Sequence, residues 1–135
     1  VTAIRHIRVH GTPKPKGSLR HVGRGRLIEQ VNNGAWKTAV TLAAAQERDL
    51  HGWETLEGVP LEVWLVFYIP PVASAPKRVA PITRSSGDLD KLTRLVLDCL
   101  TEAHIIDDDS LVTRLRVTKV YGDEPGASIS VGVAP

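Results

Sequence analysis

Asp88 and Asp90, in the run Ser86-Gly87-Asp88-Leu89-Asp90, and Asp109, which closes Asp107-Asp108-Asp109, are the residues whose type and spacing point most directly to chemistry. Gathered carboxylates repel one another and lose hydration, so a chain that builds such a cluster usually holds a cation in it. For hard oxygen ligands that cation is Mg²⁺ or Mn²⁺, and the usual chemistry is on phosphate. Taken singly, each piece has a plainer use. Asp88 is a good helix N-cap, Asp90 suits the positive end of a helix dipole, and the triple aspartate reads as a solvated turn. Placement joins them: one pair stands where a helix begins, the other where the next strand begins. A helix of about 15 residues is about 22 Å long, so the chain must cross that length again before the two groups can meet.

The helix between them follows from periodicity. Leu89, Leu92, Val96, Cys99 and Ala103 recur at spacings of three and four, and Leu95 and Leu100 widen the stripe. Asp90, Arg94 and Asp98 lie four apart on the other side, and the helix is expected to end near His104. An earlier helix is expected over 35–51, with Trp36, Val40, Ala43 or Ala44 and Leu50 as its apolar positions and Gly52 as its stop. Strands are expected over 3–10 and 26–31, and over 59–69 as a central strand buried on both faces. Two more are expected over 110–121 and 127–133, paired as an antiparallel hairpin around Gly122-Asp123-Glu124-Pro125-Gly126. Gly11, Pro13, Pro15 and Gly17 interrupt regular structure after the first strand, and residues 72–86 read as a long, mobile loop. The order is roughly ββαβαββ, a single small α+β (mixed α/β) domain over 1–135 with a mixed sheet and two helices.

With 42% hydrophobic and 24% charged residues in 135, the composition is that of one soluble domain able to bury a core. The longest apolar stretch, 61–71, contains Glu62 and is far short of a membrane span. The N-terminus has no charged segment followed by an apolar one, and the lone Cys99 rules out an intrachain disulfide, so a cytoplasmic setting is expected. The net charge of +2 hides an asymmetry. Residues 1–27 carry Arg5, Arg8, Lys14, Lys16, Arg20, Arg24 and Arg26 and no acid, whereas the rest holds all fifteen acids against ten basic residues. A basic arm on an acidic body suggests a polyanion gripped by one part and processed by another; a solvated basic loop is the plain alternative. The five histidines lack zinc spacing, and no Gly-rich phosphate loop with its Lys-Ser/Thr pair exists, so no nucleotide cofactor is expected. Trp36, Trp53 and Trp64 read as packing residues.

The segment Gly87-Asp88-Leu89-Asp90-Lys91-Leu92-Thr93-Arg94-Leu95-Val96-Leu97-Asp98-Cys99-Leu100, followed by Ile106-Asp107-Asp108-Asp109-Ser110-Leu111-Val112, resembles the RusA-like Holliday-junction resolvases. The stretch Val9-His10-Gly11-Thr12-Pro13-Lys14-Pro15-Lys16-Gly17-Ser18-Leu19-Arg20 is similar to the basic loop that follows their first strand. The resemblance implies a RusA-like fold, a homodimer, branched DNA as partner, and Mg²⁺- or Mn²⁺-dependent crossover junction endodeoxyribonuclease activity in recombination and repair. On it, Asp88, Asp90 and Asp109 fall on the metal-binding catalytic aspartates and Asp108 on the acidic neighbour of the third. Arg94 stands where the family has a catalytic lysine, and Lys91 where it has asparagine. Arginine keeps its charge and can clamp a phosphate oxygen bidentately, but it does not deprotonate. The plainer use of Arg94 is a salt bridge to Asp90 and Asp98. Lys14, Lys16, Arg20, Arg24 and Arg26 would grip the DNA backbone, supported by Lys77, Arg78, Arg84 and Lys91. Two other readings stay open: a DNA-binding module whose acids are structural, and a nuclease for forks and flaps.

Overall fold

Alternation along the apolar run 61–69 decides how the molecule stacks. In the computed structural model, which describes residues 3–17, 19–21, 27–29, 32–72 and 80–135, this run is the central strand β4 (Leu61–Ile69). Leu61, Val63, Leu65, Phe67 and Ile69 are buried, while Trp64 is 48% exposed. The expectation of burial on both faces is therefore corrected. The two helices cover one face of the sheet, and Glu62, Trp64, Val66 and Tyr68 lie on the other. That open face is dressed by arginines stacked on aromatics, Arg116 at 5.2 Å from the Trp64 ring and Arg8 at 4.8 Å from the Tyr68 ring.

The four-stranded sheet has the order β1-β6-β4-β5, with β1 over Arg5–His10, β5 over Val112–Tyr121 and β6 over Gly126–Val133. β6 runs antiparallel to both β1 and β4, whereas β5 runs parallel to β4. The expected hairpin between the last two strands is not formed. β6 instead crosses β4 and inserts between it and β1, because its buried Ala127, Ile129 and Val131 need neighbours on both sides. The exposed Arg114 and Arg116 of β5 suit the sheet margin it occupies. A separate two-stranded ladder joins β2 (Leu19–His21) to β3 (Leu27–Glu29). β3 falls within the strand expected over 26–31; β2 was hidden by the proline- and glycine-rich sequence before it.

Helix α1 (Gly34–His51) buries Trp36, Val40 and Ala44 and stops at Gly52, whose left-handed backbone (φ 64°) returns its N–H to the Arg48 carbonyl. Helix α2 (Leu89–Glu102) buries Leu92, Thr93, Leu95, Val96, Cys99 and Leu100. Leu89, expected in the stripe, is 36% exposed because the first turn overhangs the core. Burial pushes the Cys99 thiol up, so it sits protonated in the core. α2 is the crossover that parallel pairing of β4 and β5 demands. Among the described residues no helix is long and apolar enough to cross a membrane.

The two faces of β4 make unequal claims on stability. Phe67→Ala is expected to cost about 3–5 kcal/mol, whereas Trp64→Ala costs about 1 kcal/mol, the scale of its arginine stack. Urea unfolding of the two variants measures the difference.

Candidate functional site

The acidic pair stands at the start of α2, and the helix does not consume it. Asp88 has the extended backbone of an N-cap (φ −76°, ψ 136°), yet its carboxylate makes no capping bond. Its described charged contact is Lys91 Nζ at 3.7 Å, and its side chain is 69% exposed. Asp90, in the first turn, is exposed as well. Two accessible carboxylates without structural duty suit a hard divalent cation by donor chemistry. The chain reaches Asp88 through Gly87, which takes φ 84°; a Cβ there would lie 3.3 Å from Pro15 Cδ and 3.4 Å from Leu92. Glycine thus lets this turn and the proline-rich loop come together.

That loop, residues 11–17, is docked on α2. The Lys16 amide donates to the Lys91 carbonyl (3.0 Å), and Lys16 Nζ donates to Asp98 Oδ2 (2.6 Å). Asn33, 5% exposed at the N-cap of α1, donates its Nδ2 to the Pro15 carbonyl (3.1 Å). The structure therefore brings Lys16 and the acidic helix together. Lys14 lines an open cleft of about 410 Å³ with His10, Asn32 and Trp36. Arg94 is exposed, and among the described residues it forms no ion pair; Asp98 is matched with Lys16 instead. Arg84 is exposed in the single 3₁₀ turn 84–86 before the acidic pair. Arg20 lies in β2, and Arg24, Arg26, Lys77 and Arg78 lie outside the described residues.

Asp109 is elsewhere. It opens a 3₁₀ turn at the start of β5, beyond the far end of α2, and α2's 14 residues span about 21 Å. β5 gives a second ruler: Lys119 reaches Gly87, and the seven steps back to Val112 cover about 23 Å. β4 and β5 do lie side by side, but their parallel sense keeps Asp109 from the pair within one chain. Among the described residues no three potential ligands gather. Asp108 has a local duty, since its Oδ2 accepts from the Ser110 amide (2.9 Å) as cap of that turn. The turn is tied to the sheet base by the Asp107 amide, which donates to the Leu56 carbonyl (2.9 Å).

Two residues at this site escaped sequence reasoning. Asn33 reads as turn chemistry but anchors the basic loop. Lys119 donates from Nζ to the Gly87 carbonyl (2.7 Å) and to Ser86 Oγ (2.9 Å), and its one signal is a charge interrupting the series Leu115, Val117, Lys119, Tyr121.

An acidic helix start thus has a basic loop docked beside it, on an α+β sheet. The family described as endodeoxyribonuclease RusA matches residues 9–132, and the chain belongs to that family. It is also similar to a Bacillus subtilis (strain 168) protein described as "Uncharacterized protein YqaN", with 28% identity over 138 residues, covering 91% of this chain and 92% of the relative.

Hydrogen bonding by the Ser110 side chain and amide holds the Asp108 carboxyl below the usual carboxylate range. Its contribution to stability is therefore complete above the ordinary carboxylate pKa and disappears as pH falls through the lowered one. Asp108→Asn is expected to flatten the acid limb of the stability–pH curve, which thermal unfolding between pH 2 and pH 5 (about the span of carboxylate titration) measures.

Proposed function

We propose that this chain is a Mg²⁺- or Mn²⁺-dependent endonuclease that resolves four-way DNA junctions by paired phosphodiester hydrolysis as a homodimer. The observation that carries this is the pairing, on one helix, of two exposed, structurally idle carboxylates with a docked basic loop. A bound divalent ion supplies Lewis-acid polarisation of the phosphate and an activated water at neutral pH. Asp88 and Asp90 hold the ion through their carboxylate oxygens. Arg94, one turn further along the exposed side from Asp90, keeps a fixed positive charge for the phosphate. Lys91 stands beside Asp88 as a second cation.

Lys14 and Lys16 grip the backbone, with Arg20, Arg24, Arg26, Lys77, Arg78 and Arg84 extending the basic surface. The Lys16–Asp98 pair is exposed, so exchanging its carboxylate for a DNA phosphate costs little. In-line attack by water expels the 3′-oxygen and leaves 5′-phosphate and 3′-hydroxyl ends.

Asp109 enters through symmetry. The length of α2, about 21 Å, stands between it and its own acidic pair, so a second copy supplies it: a two-fold axis that sets two α2 helices antiparallel brings Asp109 of each chain toward Asp88 and Asp90 of the other. Two such sites match the two cuts a junction needs.

Asp90→Asn and Asp109→Asn should each lower junction cleavage by roughly 100-fold or more. Mixed and re-annealed, the two variants should regain nicking, because one site of each mixed dimer then holds only native residues. Absence of recovery in verified mixed dimers would place Asp109 outside a shared site. No cutting of a four-way junction by the native protein with Mg²⁺ would remove the nuclease reading. Replacing Lys14 and Lys16 with alanine should weaken junction binding and reduce the slope of log affinity against log salt by about 2 per protomer, about 4 for the dimer; an unchanged slope takes the loop out of the DNA interface.

A further inference from the structure

Lys119 occupies a position where an apolar residue is expected. In the β4–β5 register it stands opposite Phe67, which is fully buried, and its same-side neighbours Val117 and Tyr121 pack on the core. An ammonium among apolar side chains costs desolvation unless its protons are bonded. Here two of them are, to the Gly87 carbonyl at 2.7 Å and to Ser86 Oγ at 2.9 Å. Ser86 is itself 3% exposed, and its one hydroxyl proton is shared between the Pro81 and Thr83 carbonyls at 3.0 Å and 2.6 Å. The lysine stem thus lies along the core face while its charge is delivered to one turn.

That turn is the entry to the acidic pair. The Gly87 carbonyl belongs to the peptide whose nitrogen is that of Asp88, and Gly87, at φ 84°, has no side chain to fix it. Asp88 gains no rigidity from capping, since its carboxylate makes no cap bond. What holds the peptide before it is a charge-assisted bond from β5, together with the Gly87 amide bond to the Arg84 carbonyl.

We propose that Lys119 is a positioning residue for the acidic pair: by clamping the Gly87–Asp88 peptide to β5, it fixes the Asp88 carboxylate in place for the divalent ion. The inference rests on the nuclease reading above and deepens it. Lys119 acts through the backbone of Gly87 rather than by touching the ion.

Lys119→Met keeps the length and apolar stem and removes the charge and donors. Calorimetric titration with Mn²⁺ should show affinity falling roughly 10- to 100-fold, the usual effect of removing a group that orients a metal ligand. Amide hydrogen exchange should quicken at residues 87–90 and stay unchanged in β4 and β6, and metal-free junction affinity should be preserved. Lys119→Arg, which retains charge and donors, should recover most of the Mn²⁺ affinity. Native-like Mn²⁺ affinity in the methionine variant overturns the clamp. So does faster exchange spread evenly through β4 and β6, which would make Lys119 a general stabiliser of the sheet. Neither readout depends on cleavage: a native protein that fails to cut junctions removes the nuclease reading, whereas normal Mn²⁺ binding by Lys119→Met removes only the clamp.

Discussion

Two strands that lie side by side and run the same way cannot be joined by a turn; the chain must travel back along a crossover before it can start the second. In this protein the crossover between β4 and β5 is α2, and its direction fixes where every candidate group lies. The helix begins where β4 ends, so Asp88 and Asp90 stand at the carboxyl end of the parallel pair, the end at which open α/β sheets usually bind ligands. Lys119, late in β5, arrives at that same end. Asp109, before β5, is carried to the opposite one. A single topological requirement thus collects most of the site and separates one member from it.

Opposite charges at the gathered end are arranged so that neither cancels the other. The basic loop is held mainly through backbone and neutral groups: the Lys16 amide on the Lys91 carbonyl of α2, and Asn33, at the start of α1, on the Pro15 carbonyl. Among the described residues, the loop's side-chain ion pair, Lys16 with Asp98, involves a carboxylate two turns beyond Asp90. The acidic pair is thereby spared, and among the described residues only the 3.7 Å approach of Lys91 to Asp88 draws on it. Docking by amides and carbonyls leaves the Asp88 and Asp90 carboxylates exposed, while the Lys16 ammonium is shared with Asp98.

Much of this was legible in the residues. The helix boundaries came through because a 3.6-residue apolar period and a glycine stop are local signals, and Gly52 behaves as the pattern implies. The acidic pair and the loop with Lys14 and Lys16 were likewise visible as composition. What failed was non-local. A hairpin between β5 and β6 is the cheapest guess for two strands separated by a glycine-rich turn, yet β6 carries Ala127, Ile129 and Val131 into the core face and pairs with both β1 and β4. Trp64 sits in an almost unbroken apolar run, in which Glu62 alone marks the face of β4 that the helices leave uncovered. The sense in which β5 pairs with β4 is equally silent in sequence, and with it the distance from Asp90 to Asp109. Lys119 left a trace, one charge in an alternating apolar series, but its partner lies 32 residues away.

The margin formed by β5 has a consequence for solubility. Among the described strands, only β4 pairs with it, so the backbone donors and acceptors of about every other residue along its length face outward. A bare strand of that length is a template on which another chain can zip and from which fibrils can grow. Arg114 and Arg116 stand exposed along it. In a symmetric strand-to-strand contact they would meet their own copies, and like charges directly opposite one another oppose pairing. Arg116, which also covers the open sheet face at Trp64, and Arg114 therefore act as gatekeepers against pairing at the sheet margin.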